Sequence, residues 1–320
     1  MTRFNKLAAM LRAARRRLAA LRHRDLYALM LEMRGRLEQL ETRVAQTAQS
    51  GAALHGTYVG DGRMLVETTW GGRLLIPADD LSLMPELVAR GTYDVPFTAF
   101  VQRHVHPGDV AIDVGAHVGL FTLLLAYQVS ERGRVVAYEP HPRLVSILRD
   151  NVAMNWLDDR VDVVPRAAAA DAGRAQLLMP QRFQMLSSIH AGEELLVSGH
   201  RGDRVESVEV DTEPLDAWLG RLERIDLLKV DAEGAEEQVF AGMAGLLESD
   251  AVRRICFEMI RPSLGDDWEP FARRLKALEA QGWRFATLTD SGLIEPAELD
   301  GLLERGWWSQ VVMLRADELS

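Results

Sequence analysis

The chain has 320 residues, 48% hydrophobic and 26% charged, with a formal net charge of −10. These values exclude a collagen-like or wholly disordered polypeptide and fit one large domain with an appendage. The single cysteine, Cys256, excludes a disulfide scaffold and a multi-thiolate metal site.

Residues 1–50 differ in composition from the remainder. They hold 11 basic and 4 acidic residues, a net of +7, against −17 for the other 270. They contain no proline and one glycine, Gly35. Leu26, Met30, Met33, Leu37, Leu40 and Val44 recur at heptad spacing, which predicts an amphipathic or coiled-coil helix. Upstream, Leu7, Leu11, Ala14, Leu18 and Leu21 repeat the spacing, and the register slips near His23. Such a helix can pack on its own body, drive homo-oligomer formation, or lie on an anionic membrane through Arg15–Arg17. The acidic body makes nucleic acid an unexpected partner, because backbone binding needs clustered positive charge. No stretch reaches the roughly 20 apolar residues that span a bilayer, so the expected compartment is the cytoplasm, with peripheral membrane attachment through this helix as the alternative.

Residues 51–106 form the next segment. Met64–Trp70 and Arg73–Ile76, separated by Gly71-Gly72, read as a β-hairpin, and Pro96–His104 as a helix. The third segment, residues 107–320, alternates strands with helices. Strands are expected at Val110–Val114, Arg134–Tyr138, Val161–Val164, Ile225–Val230, Arg254–Glu258, Phe285–Leu288 and Gln310–Leu314. That alternation argues for an α/β, mostly parallel sheet with helices on both faces. The stretch from Ala170 to Ile225 interrupts it with strand-like pieces at Gln176–Met179 and Val205–Val210 and a polar loop at Gln184–Gly202, a place for substrate-facing residues.

Three motifs carry chemistry. Asp113-Val-Gly-Ala-His-Val-Gly119 joins a strand to a helix through a glycine loop, where backbone approaches a ligand closely and N–H donors are free. Its spacing departs from the G-x-G-x-x-G of dinucleotide sites, which disfavours an NAD(P)-dependent oxidoreductase. Glu139 ends the second strand, 20 residues after Gly119, where a carboxylate accepts hydrogen bonds from vicinal ribose hydroxyls. Leu228-Lys-Val-Asp-Ala-Glu-Gly-Ala-Glu236 places Lys229, Asp231 and Glu233 at a third strand end, and Glu258 follows Ile255-Cys-Phe on the next strand.

With Glu139-Pro-His-Pro142, Asn151 and Asn155, these motifs resemble the FkbM-type family of S-adenosylmethionine-dependent methyltransferases between about Gly91 and Leu314. The resemblance implies a Rossmann-like class I methyltransferase fold, with seven strands of which the last is antiparallel, and O-methylation of a sugar or polyketide hydroxyl. It implies a cofactor site at Asp113, Gly115, Ala116, His117, Gly119, Phe121 and Thr122, at Glu139 and Pro140, and at Ala167. His117 stands where the family usually carries Asn.

Methyl transfer needs an aligned acceptor oxygen and somewhere for its proton to go. Candidate catalytic residues are Asp231, Glu233, Glu258, Lys229 and the loop histidine His190, with His200 a weaker one. Asp231 and Glu258 are also the candidate ligands for Mg²⁺ or Mn²⁺, which would acidify the acceptor hydroxyl. The bland reading of Lys229, Asp231 and Glu233 is a structural ion-pair and loop-capping network. Trp268, Trp307 and Trp308 offer sugar-stacking surfaces but suit packing better. The expected acceptor is a small molecule, a glycan or a glycolipid. A cofactor-binding scaffold that recruits partners through residues 1–50 is the non-enzymatic alternative.

Overall fold

A computed structural model describes residues 54–190 and 203–315. The expected helix at residues 1–50, its heptad seam and His200 lie outside the described residues.

The lead-in begins with an antiparallel sheet of β1 (Gly56–Gly60), β2 (Arg63–Glu67) and β3 (Arg73–Pro77), in that order. The predicted hairpin is β2–β3. Thr68 closes its turn, its hydroxyl donating to Gly72 O and accepting from Gly72 N, both at 2.9 Å. Helices Met84–Arg90 and Val95–His104 follow, each with proline at its start, where the missing N–H costs nothing.

The central sheet uses β4 (Val110–Val114), β5 (Arg134–Tyr138) and β6 (Val161–Val164). A side sheet follows, of β7 (Ala167–Ala168), β8 (Gly173–Pro180) and β9 (Val205–Glu213). The chain then returns with β10 (Leu227–Val230), β11 (Arg254–Ile260), β12 (Trp283–Leu288), β13 (Ile294–Ala297) and β14 (Trp307–Arg315). The order across the central sheet is β13-β12-β14-β11-β10-β4-β5-β6. Strands β6, β5, β4, β10 and β11 are parallel, and β14 is antiparallel between β11 and β12. This is the class I methyltransferase arrangement with one edge strand added. The expected seven strands become eight, because Ile294-Glu-Pro-Ala297 pairs outside β12. Its proline hid it from a pattern search, and proline is tolerated at a sheet edge, where no ladder donor is missed.

Alternate residues face opposite sides of a strand, so each apolar run feeds two cores. Ala111, Val135, Ala137 and Leu227 face one core with the helix Leu120–Val129. Ile112, Val136, Leu228, Ile255 and Phe257 face the other, beside the helix Trp268–Ala280. The lead-in joins the first core through Val66, Leu74, Ile76, Leu87, Phe97 and Phe100. The helix Leu120–Val129, enclosed from both sides, is accordingly apolar all round.

Two asparagines of the helix Pro142–Met154 and its cap fasten the lead-in to the body. Asn151 accepts from Leu75 N at 2.7 Å and donates to Leu75 O at 2.9 Å and Val118 O at 2.7 Å. Asn155 treats Arg73 likewise, accepting from its N–H at 2.9 Å and donating to its carbonyl at 2.6 Å. The edge of β3 thus finishes its hydrogen bonding on side chains, and Asn151 also ties it to the glycine loop.

Candidate active site

The strand register assembles the site. Val114 of β4 pairs with Tyr138 of β5 and with Val230 of β10, and Val230 pairs with Phe257 of β11. One residue further on, Glu139, Gly115, Asp231 and Glu258 stand in a row across the carboxyl ends of four parallel strands. That is where ligands bind in open α/β sheets.

The glycine loop turns at Gly115 (φ 78°), His117 (φ 53°) and Gly119 (φ 95°). Gly115 N and Ala116 N donate to Tyr138 O at 3.1 and 2.9 Å. Glu139 accepts from His117 N and from His141 N, both at 2.8 Å. Burial pushes its carboxyl up to about 8, against the pull of those two donors. Beside the loop lies a cavity at the carboxyl end of the sheet. Gly115, His117, Glu139, Pro140 and Ala167 line it, as do Asp231 and Glu233.

A buried ion network backs this cavity. Lys229 Nζ lies 3.4 Å from Asp113 and 3.2 Å from Asp231, with the Phe121 ring at 5.4 Å. Burial opposes the ammonium charge, but the two carboxylates outweigh it and hold Lys229 above its ordinary value. Asp113 also accepts from the Thr122 hydroxyl at 2.6 Å. The loop after β10 is capped by Glu236, which accepts from Ala232 N at 3.0 Å and Gly234 N at 3.1 Å. The expected capping carboxylate, Glu233, has a different position: in the left-handed region (φ 50°), it lines the cavity. One carboxylate oxygen from each of Asp231, Glu233 and Glu258 lies within 4.8 Å of the others. Burial, then the Asp231 charge, drives Glu233 and Glu258 well above the ordinary carboxylate range.

A second cavity, of about 430 Å³, adjoins the first. Tyr93, Asp94, Phe121, Glu258 and Gln310 line it, and it shares Met185, Asp231 and Glu233 with the first cavity. The β11–β14 register shifts at Glu258, opposite Ser309 and Gln310, and such irregularities re-aim side chains near active sites. Asp94 caps the helix Val95–His104, accepting from Phe97 N at 3.2 Å and from Gln310 Nε2 at 3.1 Å.

Residues 113–285 match the family model for the methyltransferase FkbM domain. The chain belongs to the FkbM methyltransferase family. Methyltransferase sdnD of Sordaria araneosa is 27% identical over 224 residues, which cover 61% of this chain and 82% of that protein. The 31-O-demethyl-FK506 methyltransferase FkbM of Streptomyces tacrolimicus is 32% identical over 161 residues, 43% of this chain and 61% of that one. The 2-O-methyltransferase NoeI of Sinorhizobium fredii is 27% identical over 150 residues, 42% of this chain and 58% of that one. The chain spans under two thirds of the length of these last two relatives. An FkbM-family protein is an S-adenosylmethionine-dependent methyltransferase, and the oxidoreductase alternative falls away. The first cavity suits that cofactor: it offers the strand-end carboxylate of Glu139 and buried polar atoms without hydrogen-bond partners on His117 and Gln184.

The FkbM-type motif residues divide by position. Asp113, Ala116, Gly119 and Thr122, expected at the cofactor, do not line the cavity. Asp113 and Thr122 are fully buried and spent on each other and Lys229, while Gly119 gives room to Leu148. Phe121 lines the second cavity instead. His190, expected as a base, lines neither cavity: its Nδ1 lies 3.6 Å from Asp267. Cys256 is buried in the sheet, and burial raises its thiol far above the ordinary value. None of the three candidate tryptophans lines either cavity; Trp268 is core, Trp307 is exposed, and Trp308 donates to Leu302 O at 3.1 Å. Sequence reading missed Tyr93, Asp94, Gln184, Met185 and Gln310. Asp94-Val-Pro96 is legible as a helix start, but nothing local says that a cavity lies beside it.

Proposed function

We propose that the chain methylates a hydroxyl of a sugar, glycan, glycolipid or glycosylated metabolite, with the cofactor in the first cavity and the acceptor in the second. The observation that carries this reading is the wall of Met185, Asp231 and Glu233 common to both cavities. The names of two relatives, a 31-O-demethyl-FK506 methyltransferase and a 2-O-methyltransferase, support oxygen as the atom methylated.

S-adenosylmethionine supplies an electrophilic methyl group on a sulfonium. Glu139 receives the ribose hydroxyls, and the glycine loop gives the adjacent backbone room. Asp231 and Glu258, one past paired strand residues, stand where the acceptor hydroxyl must shed its proton. Glu233 and Glu258, both raised by burial and then by the Asp231 charge, are the carboxylates that can accept it when ionised. Lys229 keeps Asp231 placed and compensated from behind. In the second version of this chemistry, Asp231, Glu233 and Glu258 would hold Mg²⁺ or Mn²⁺, which would acidify the hydroxyl.

The test is transfer of a radiolabelled methyl group to a panel of glycosides. Asp231→Asn or Glu258→Gln should keep cofactor affinity and lose about 10²-fold or more in turnover. Loss of activity on chelation, restored by Mg²⁺ or Mn²⁺, selects the metal version; indifference to chelator selects direct base catalysis. Full activity in both variants defeats the assignment.

We further propose that residues 1–50 serve homo-oligomer formation, on the strength of their heptad spacing and +7 charge against a −17 body. Light scattering of the full chain and of a chain lacking residues 1–50 tests this, and flotation with anionic vesicles tests attachment to a membrane surface. No helix of the described residues is long and apolar enough to cross a membrane.

A further inference from the structure

Polar atoms shut away from water keep hydrogen-bond partners in nearly every native structure, so those without one point to a missing ligand. Among the described residues, such atoms include Asp113 Oδ1, His141 Nε2, Asp80 Oδ2, both ring nitrogens of His117, and Gln184 Oε1; the last three residues stand together at one end of the first cavity. Asp80 and Gln184 have no exposed surface at all. Asp80 follows β3 and precedes residue 113, where the family match starts. Its Oδ1 is occupied by Ser82, through the backbone N–H at 2.9 Å and the hydroxyl. Its Oδ2 faces His117 Nε2 at 3.9 Å.

The turn carrying Asp80 is joined to the opposite wall of the cavity. Leu81 N donates to Arg182 O at 2.5 Å, and Met185 N donates to Ser82 Oγ at 3.2 Å. Gln184 spends its amide N–H on Gln181 O at 2.9 Å, which leaves Oε1 as a fixed acceptor. His117 and Gln184 both line the first cavity, while Asp80 stands behind the imidazole and outside the lining. The lining therefore includes a carbonyl acceptor and an imidazole with a buried carboxylate 3.9 Å behind it. An ammonium adjacent to a carboxylate complements it, the ammonium donating to Gln184 and the carboxylate accepting from the ring N–H.

We propose that His117 and Gln184 hold the amino-acid end of S-adenosylmethionine, and that Asp80, contributed by the lead-in, is the positioning residue that orients the His117 ring. This rests on the assignment of the first cavity to the cofactor. It gives the lead-in a part in cofactor selection in addition to its packing.

Calorimetry on the full chain with two probes tests it. S-adenosylhomocysteine carries the amino-acid end; 5′-methylthioadenosine has the same nucleoside without it. Asp80→Asn, Gln184→Leu and His117→Gly should each weaken S-adenosylhomocysteine tenfold or more and leave 5′-methylthioadenosine within twofold. The glycine variant suits the left-handed backbone at His117, so it keeps the test open if an Asp80 variant fails to fold. The imidazole ¹⁵N spectrum should show one His117 tautomer in the wild type and a mixture in Asp80→Asn. Equal losses for both probes, no loss for either, or an unchanged His117 spectrum overturn this proposal alone. A wild-type chain that binds neither probe overturns the cofactor-cavity assignment and this proposal with it.

Discussion

Gly115 and Asp231 meet backbone to side-chain vacancy: a Cβ built on Gly115 would overlap the Asp231 carbonyl oxygen. The two residues end neighbouring parallel strands, so the contact follows from register and holds the cofactor loop against the acidic loop. Gly115 also lies at φ 78°, a left-handed conformation that costs a non-glycine residue about 1–2 kcal/mol. Gly115→Ala should therefore separate the strand ends, destabilise the chain by about 2 kcal/mol or more, and weaken S-adenosylhomocysteine at least tenfold. Thermal denaturation and calorimetry read these two losses, and an alanine variant with native affinity would contradict the coupling.

Asn151 supports the lead-in from inside the body. Its truncation strands the buried Val118 O and the part-buried Leu75 N and O, and a buried group left without a partner costs about 1–3 kcal/mol. Asn151→Ala is expected to lower stability by about 3 kcal/mol in urea denaturation, with an exposed substitution such as Asp158→Ala as the neutral control.

Lys229 sits between two carboxylates with almost no exposed surface. Removing one member of a buried ion network leaves the other charges uncompensated, at about 3–5 kcal/mol. Lys229→Met should show that loss, and Lys229→Met combined with Asp113→Asn should recover part of it. A single variant as stable as the wild type would show that the network contributes nothing.

Glu139 yields a pH prediction with a definite sign. Its carboxyl, ordinarily at 4.5, is pushed up to about 8 in the unliganded chain, first by burial. A carboxyl raised on folding contributes its full stability below its unfolded value, and that contribution is lost as pH rises through the window from 4.5 to about 8. In the unliganded protein, Glu139→Gln should flatten that decline. When both ribose hydroxyls donate to the carboxylate, binding must expel its proton. Titration of 5′-methylthioadenosine in buffers of different ionisation enthalpy should then show release of about one proton per ligand near neutral pH, and none well above pH 8. Absence of proton release in the wild type would mean that Glu139 stays protonated on the ligand.

Much of the central sheet was legible because buried parallel strands write themselves as short apolar runs ending in special residues. Val110-Ala-Ile-Asp-Val-Gly115 and Leu228-Lys-Val-Asp231 state both the strand and its functional tip. The row of Glu139, Gly115, Asp231 and Glu258 follows from those ends once the strand order is known. The second cavity was not legible, since its walls come from the lead-in, from the loop at Met185 and from β14, whose approach is tertiary. Asn151 and Asn155 belonged to the recognised motif, but their spacing of four announced only a common helix face, not a strand edge docked on it. The surroundings of His190 were not legible either, because a histidine in a polar loop looks the same whether or not a carboxylate such as Asp267 lies 3.6 Å from its ring.

The position of the cofactor's sulfur is decisive. A crystal structure with bound S-adenosylhomocysteine measures it directly. The ribose hydroxyls should lie on Glu139 and the sulfur at the wall of Met185, Asp231 and Glu233, open toward Tyr93 and Glu258 in the second cavity. A sulfur directed away from that wall, with Asp231 and Glu258 remote from it, would contradict this assignment.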